Sequence, residues 1–157
     1  MKRISIVLAL VLVLAGCAHS GPTLTTAERL ELYSAHAGPP VASFNIDRIA
    51  GVTRWTPLGD QALAIWNSPN SGYLLEFRTR CSGLSFGSSI TVSNSLGLVN
   101  ARLDSVQPRA ANGSAISQPC RISSARPLDG RALGDAKREL REASVVDRPE
   151  GVTAEEE

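Results

Sequence analysis

Gly72-Tyr73-Leu74-Leu75-Glu76-Phe77-Arg78-Thr79-Arg80 is the clearest alternating run in the chain, and Cys81 closes it. Tyr73, Leu75, Phe77, Thr79 and Cys81 share one parity, while Glu76, Arg78 and Arg80 share the other. Successive side chains of an extended strand point to opposite faces. A period of two with apolar and charged sets on alternate positions therefore reads as a β-strand with one face inward.

Working outward, short runs of similar character recur on both sides. Upstream, residues 41–46 alternate with Ala42, Phe44 and Ile46 on one face. Residues 51–55 and 62–66 are two more strands, separated by the turn Pro57-Leu-Gly-Asp60 and followed by the hairpin loop Ser68-Pro-Asn-Ser-Gly72. Downstream, residues 89–93 place Ile90 and Val92 on one side. Residues 98–106 place Val99, Ala101 and Leu103 inward with Asn100, Arg102 and Asp104 outward, and residues 119–126 form the last strand. Short strands punctuated by turn signals predict a mainly β (α+β) fold, a small antiparallel β-barrel or sandwich of about six to seven strands. Long helices do not alternate with the strands, which excludes a doubly wound α/β sheet.

Two helices flank this region. Thr25 with Glu28 three residues later is a capping box, and Ala27, Leu30 and Tyr33 follow at helical spacing, which predicts a short N-terminal helix over 26–36 stopped by Gly38-Pro39-Pro40. Ala132, Leu133, Ala136, Leu140 and Ala143 form a thin C-terminal stripe. Arg131–Asp135 and Arg138–Glu142 support it as i,i+4 pairs, but Gly134 costs about 1 kcal/mol relative to Ala. The C-terminal helix is expected to be marginal, with an acidic, disordered tail after residue 146.

The first residues are an address. Lys2 and Arg3 precede an apolar run over 4–14, too short to span a bilayer and of the length of a secretory signal core. Leu14-Ala15-Gly16-Cys17 then looks like a bacterial lipobox, whose cysteine is acylated before cleavage. The expected organisation is a signal peptide over 1–16, the acylated Cys17 and a tether over 17–24, a compact domain over 25–130 and a charged helix and tail over 131–157. By resemblance to lipoprotein sorting, Ala18 after the cysteine favours the periplasmic face of the outer membrane.

With Cys17 assigned to the anchor, Cys81 and Cys120 remain. Two cysteines in an oxidising compartment are expected to form a disulfide, and Cys81 shares the apolar parity of its strand. The competing reading, a redox or metal pair, lacks the usual short spacing and nearby ligands, since His19 and His36 are the two histidines and both lie upstream. No cofactor and no metal are expected.

The remaining candidates for chemistry are sparse. Gly83-Leu-Ser85-Phe-Gly87 matches the nucleophile-elbow pattern, but no histidine follows Ser85, so the stretch is expected to be a loop. Asp47, Asp60, Glu76, Asp104 and Asp129 could supply paired carboxylates. Trp55 and Trp66 stand out in a chain that is 4% aromatic and, with Arg78 and Arg80, are the candidate binding surface. Arg102 and Arg121 could extend it toward anionic lipid or glycan, although a solvated face is the default for such residues. Net charge is +1 from 16 basic and 15 acidic residues, which argues against a nucleic-acid binder.

Trp55-Thr-Pro-Leu-Gly-Asp60, Tyr73-Leu-Leu-x-Phe77, Cys81-x-x-Leu84, Arg102-Leu-Asp104-x-Val106 and Pro119-Cys-Arg-Ile122, in this order, resemble the domain of unknown function 6491 family of uncharacterised bacterial lipoproteins. The resemblance covers residues 38–130 and leaves the C-terminal charged tail outside. It implies an exported, lipid-anchored single domain with a disulfide, and no assigned activity. The sequence therefore points to a non-enzymatic envelope binding or interaction module, held to the membrane through Cys17, with an envelope protein or glycan as partner. A small carboxylate-dependent periplasmic hydrolase is the alternative.

Overall fold

A computed structural model describes residues 24–47 and 52–146, with side chains through residue 141. Cys17, His19 and the tail after residue 146 lie outside the described residues. In chain order the elements are α1 (Thr26–Ala35), β1 (Ser43–Asn45), β2 (Trp55–Pro57), β3 (Ala62–Ser68), β4 (Ser71–Phe77), β5 (Ser89–Val92), β6 (Leu98–Asn100), β7 (Ser105–Arg109), β8 (Cys120–Asp129) and α2 (Gly130–Val146). Six strands form an antiparallel sheet in the order β2-β3-β4-β8-β7-β5, curled into a half-barrel, and β1 and β6 form a separate antiparallel ribbon.

The half-barrel buries apolar side chains on both faces. Its concave face, closed by the ribbon, holds Leu63, Ile65, Leu75, Phe77, Ile122 and Val106 with Phe44 and Val99. The opposite face holds Ala62, Ala64, Leu74 and Leu128 under Tyr33 of α1 and Leu133 of α2. Leu74 has the parity of Glu76 and Arg78, so the charged face of the 72–80 run is apolar at its start, where it packs under Tyr33 and Leu133, and charged toward its end. Gly72 pairs with Trp66 across β3 and β4. A Cβ there would meet Trp66 Cε3 at 2.7 Å and the Ile65 carbonyl closer still, so only glycine lets the indole lie on the strand.

The helices are held by named polar contacts. Thr25 and Glu28 form the expected capping box on α1. Asp129 caps α2, its carboxylate accepting from the amides of Arg131 (2.9 Å) and Ala132 (3.0 Å). Lys137 donates to the Tyr33 hydroxyl at 2.8 Å and lies over the Tyr33 ring. Arg126 on β8 donates to the carbonyls of Ser34, Ala37 and Gly38, which satisfies the C-terminal end of α1.

Several expectations change. The expected strand over 98–106 is broken after Asn100, which makes eight strands in place of seven. Arg102 takes φ 74° there, and Asp104 fastens the turn by accepting from the Asn100 amide (2.7 Å) and the Ser93 hydroxyl (2.6 Å). Leu103, expected inward, is 72% exposed. The expected strand over 51–55 is instead Trp55–Pro57, and β8 runs on to Asp129. Asp135 pairs with Arg138 one turn along, in place of the expected Arg131. The C-terminal helix, expected to be marginal, is 17 residues long and docked through Leu133 and Lys137.

Candidate functional site

The disulfide organises one end of the sheet. Cys81 and Cys120 are bonded, with Cα atoms 5.4 Å apart and a sequence separation of 39. The register places the end of β2, the start of β3, the end of β4 and the start of β8 together, through Pro57 with Leu63, Ala62 with Glu76, and Phe77 with Ile122. The N-terminus of α1 lies at this end and its C-terminus at the other, beside Arg126.

Four arginines converge there. The Arg78 amide donates to the Arg121 carbonyl at 3.2 Å. The Arg121 guanidinium donates to the carbonyls of Leu103 (2.9 Å) and Arg102 (3.3 Å). The Arg102 amide donates to the Ile122 carbonyl at 3.0 Å, and Arg80 adjoins the bonded Cys81. All four are exposed, and none has a carboxylate partner among the described residues. Asp60, Glu76 and Asp104 lie in the same region but are half-buried, and Asp104 is committed to its turn. Against four exposed guanidiniums stands the exposed Glu28 carboxylate on the first turn of α1, so the outward charge of this end is positive.

Two clefts open beside the arginines. The larger, about 430 Å³, lies between α1 and the turn before β3. Ala27, Leu30 and Leu58 give it an apolar lining, and Asp60 and Arg80 supply the two charges. Gly59 makes the close approach possible: its φ is 87°, and a Cβ would lie 2.9 Å from the Thr26 methyl. The Cys81 amide donates to the Asp60 carbonyl at 2.6 Å, tying this turn to the disulfide.

The smaller cleft, about 320 Å³, is lined by residues including Val41, Ala42, Arg102, Ser123 and Ser124. Its origin is a break in the cover along the edge of β8. The Val41 amide bonds to the Ala125 carbonyl and the Arg102 amide to the Ile122 carbonyl, and Ser123 and Ser124 lie between these two brackets. The pairing of β4 with β8 skips a residue here, from Glu76 opposite Ser124 to Phe77 opposite Ile122. Such a bulge bends the strand and re-aims side chains. The Ser123 hydroxyl is used internally, donating to the Glu76 carbonyl at 3.0 Å.

The other sequence candidates fall elsewhere. Trp55 and Trp66 are half-buried and lie on opposite faces, Trp55 against the concave core and Trp66 beneath the helices. Trp66 packs edge-on to Tyr33 at 6.2 Å and donates to the Thr56 hydroxyl at 3.2 Å. They do not join Arg78 and Arg80 in one surface. The stretch Gly83-Leu-Ser85-Phe-Gly87 is a turn closed by the Gly87 amide on the Gly83 carbonyl, with Leu84 buried. His36 is bonded through Nδ1 to the Leu32 carbonyl at the end of α1. No group of three or more His, Cys, Asp or Glu among the described residues is placed to hold a metal ion. Hydrogen bonds from the Thr25 side chain and backbone hold Glu28 below the ordinary glutamate range.

Arg102 and Arg121 were legible as candidates because each sits at an outward position of its run. Their meeting with Arg78 and Arg80 depends on β4 and β8 being neighbours, which no local pattern reports. Comparison with family models matches residues 1–144 to a family described as a family of unknown function, DUF6491. The match is wider than the 38–130 expected from the motifs and takes in the N-terminal segment and most of α2. No curated protein and no solved structure matches the chain.

Proposed function

We propose that this chain, which belongs to the DUF6491 family of unknown function, is a lipid-anchored periplasmic module that binds an anionic component of the cell envelope. The anchor is Cys17, acylated before removal of residues 1–16, and Ala18 directs the protein to the outer membrane. The observation that carries the binding reading is the convergence of Arg78, Arg80, Arg102 and Arg121 on one end of a disulfide-tied sheet, with a cleft beside Arg80 and another beside Arg102. Guanidinium groups without carboxylate partners favour anionic ligands and recognise carboxylate and phosphate groups in bidentate fashion.

The reading is non-enzymatic. Asp104 spends both carboxylate oxygens on its turn, and Asp60 faces a guanidinium-bearing cleft with an apolar lining. The test combines fractionation with crosslinking in intact cells. Wild-type protein is expected in the membrane fraction and to require detergent for release, whereas Cys17→Ser should be soluble or unprocessed. A photo-crosslinking residue at Arg80 should capture one specific anionic component, and the same residue at Asn70, at the opposite end, should not. Indiscriminate capture from both positions would overturn the binding reading.

A further inference from the structure

We infer that the arginine end rests directly on the phospholipid surface, so that the component it recognises is the anionic headgroup layer of the membrane in which Cys17 is anchored. This deepens the proposed function and rests on its anchor. Three independent features of the domain support it.

The first is where the chain emerges. The cleft that contains Arg80 also contains Thr26 and Ala27 of α1, so the described chain begins at the arginine end. Eight residue steps separate Thr25 from Cys17, a span of at most about 29 Å at ~3.6 Å per residue. An acylated Cys17 thus keeps this end within about 29 Å of the bilayer.

The second is charge. The four guanidiniums are exposed, Asp60, Glu76 and Asp104 around them are half-buried, and Glu28 on the first turn of α1 is an exposed carboxylate of this end. A cation near an anionic leaflet gains about 1 kcal/mol, which corresponds to about fivefold in affinity per arginine at moderate salt. The acyl chains on Cys17 hold the protein at the membrane, and a basic patch adds a contact that fixes which end of the domain meets it.

The third is the apolar tip set among these charges. Leu103 is 72% exposed between Arg102 and Asp104, and Arg121 grips its carbonyl. It is held out by a turn whose Arg102 occupies the left-handed region at φ 74°, a conformation unfavourable for a non-glycine residue. A large apolar side chain beside exposed arginines matches a surface that meets headgroups and the upper acyl region.

The test uses the membrane-extracted protein with its native N-terminus, reconstituted on vesicles of phosphatidylcholine alone or with phosphatidylglycerol. A fluorophore is placed at Leu103→Cys and, separately, at Asn70→Cys, and quenching by a lipid-borne quencher is read alongside co-sedimentation. Strong quenching at residue 103 on anionic vesicles, little at residue 70, and loss at high salt are expected. Replacing Arg78, Arg80, Arg102 and Arg121 with Gln should abolish the quenching while the protein still co-sediments through its anchor. Co-sedimentation with residue 103 unquenched, or quenched equally with residue 70, overturns the lipid contact and leaves the anchor standing. Protection of residue 103 by an envelope extract but not by lipid also overturns it, in favour of a protein or glycan. Failure to co-sediment at all removes both readings.

Discussion

Removing the disulfide should destabilise the domain severely, and the size of the effect follows from the structure. Cys81 and Cys120 close a loop of about 40 residues joining the end of β4 to the start of β8. The chain-entropy relation gives about 4 kcal/mol for such a loop at 25 °C. Both cysteines are buried, Cys81 completely and Cys120 at 6% exposure, within the concave core. The double variant Cys81→Ala/Cys120→Ala therefore also loses sulfur packing. Against a total of roughly 6–18 kcal/mol for a domain of this size, the loss is a large fraction. With a urea slope of about 2 kcal/mol/M, the unfolding midpoint should fall by about 2 M. The assay is urea unfolding followed by tryptophan fluorescence, since Trp55 and Trp66 report on the two faces of the sheet separately. A midpoint within about 0.5 M of wild type would refute the claim that the bridge carries the fold, because that shift corresponds to only about 1 kcal/mol.

Other outcomes follow from single residues. Gly134 lies inside α2 with open space where a Cβ would go, so Gly134→Ala should stabilise by up to about 1 kcal/mol, read as a higher thermal midpoint. Gly72→Ala should do the opposite, because its Cβ collides with the Ile65 carbonyl and the Trp66 ring; strongly reduced soluble yield or a collapsed midpoint is expected. Glu28 is held below its ordinary range by Thr25. Its contribution to the start of α1 is therefore full above the unfolded glutamate range and is lost as pH falls through the lower folded value. Amide protection factors at Thr25 and Glu28, corrected for the intrinsic pH dependence of exchange, should fall on acidification, and Glu28→Gln should remove that change.

The fold was largely legible because its signals are local. The two-residue period at 72–80, the turn chemistry at 57–60 and the capping box at Thr25 each state what the backbone does without reference to distant residues. The break at residues 101–104 was hidden for a physical reason: Val99, Ala101 and Leu103 keep strand parity, while the bond that stops the strand runs from Asp104 back to Asn100 and across to Ser93. The docking of α2 was hidden similarly, since its stability comes from Tyr33, Leu128 and the Asp129 cap more than from its own thin stripe. Leu74 was the local clue to a second buried face, an apolar residue on the parity otherwise occupied by charges.

The candidate site was only partly legible. Arg78 and Arg80 were readable as outward residues, and the cysteines as a bridge, so the basic end could be anticipated in outline. Trp55 and Trp66 drew attention through rarity, yet the sheet separates them onto opposite faces. The clefts depend on Gly59, on the bulge at Ser123 and Ser124, and on the left-handed Arg102. The first becomes meaningful only when α1 packs against the turn before β3, and the others when β8 lies beside β4 and the 37–42 segment crosses its edge.

The central claim is that the arginine end belongs to a protein tethered by Cys17, and the most direct measurement is the mass of the N-terminal peptide of protein extracted from membranes. The account predicts a peptide beginning at Cys17 and carrying the added mass of acyl chains, with residues 1–16 absent. An unmodified peptide that retains residues 1–16, or one that begins at another residue, would contradict it.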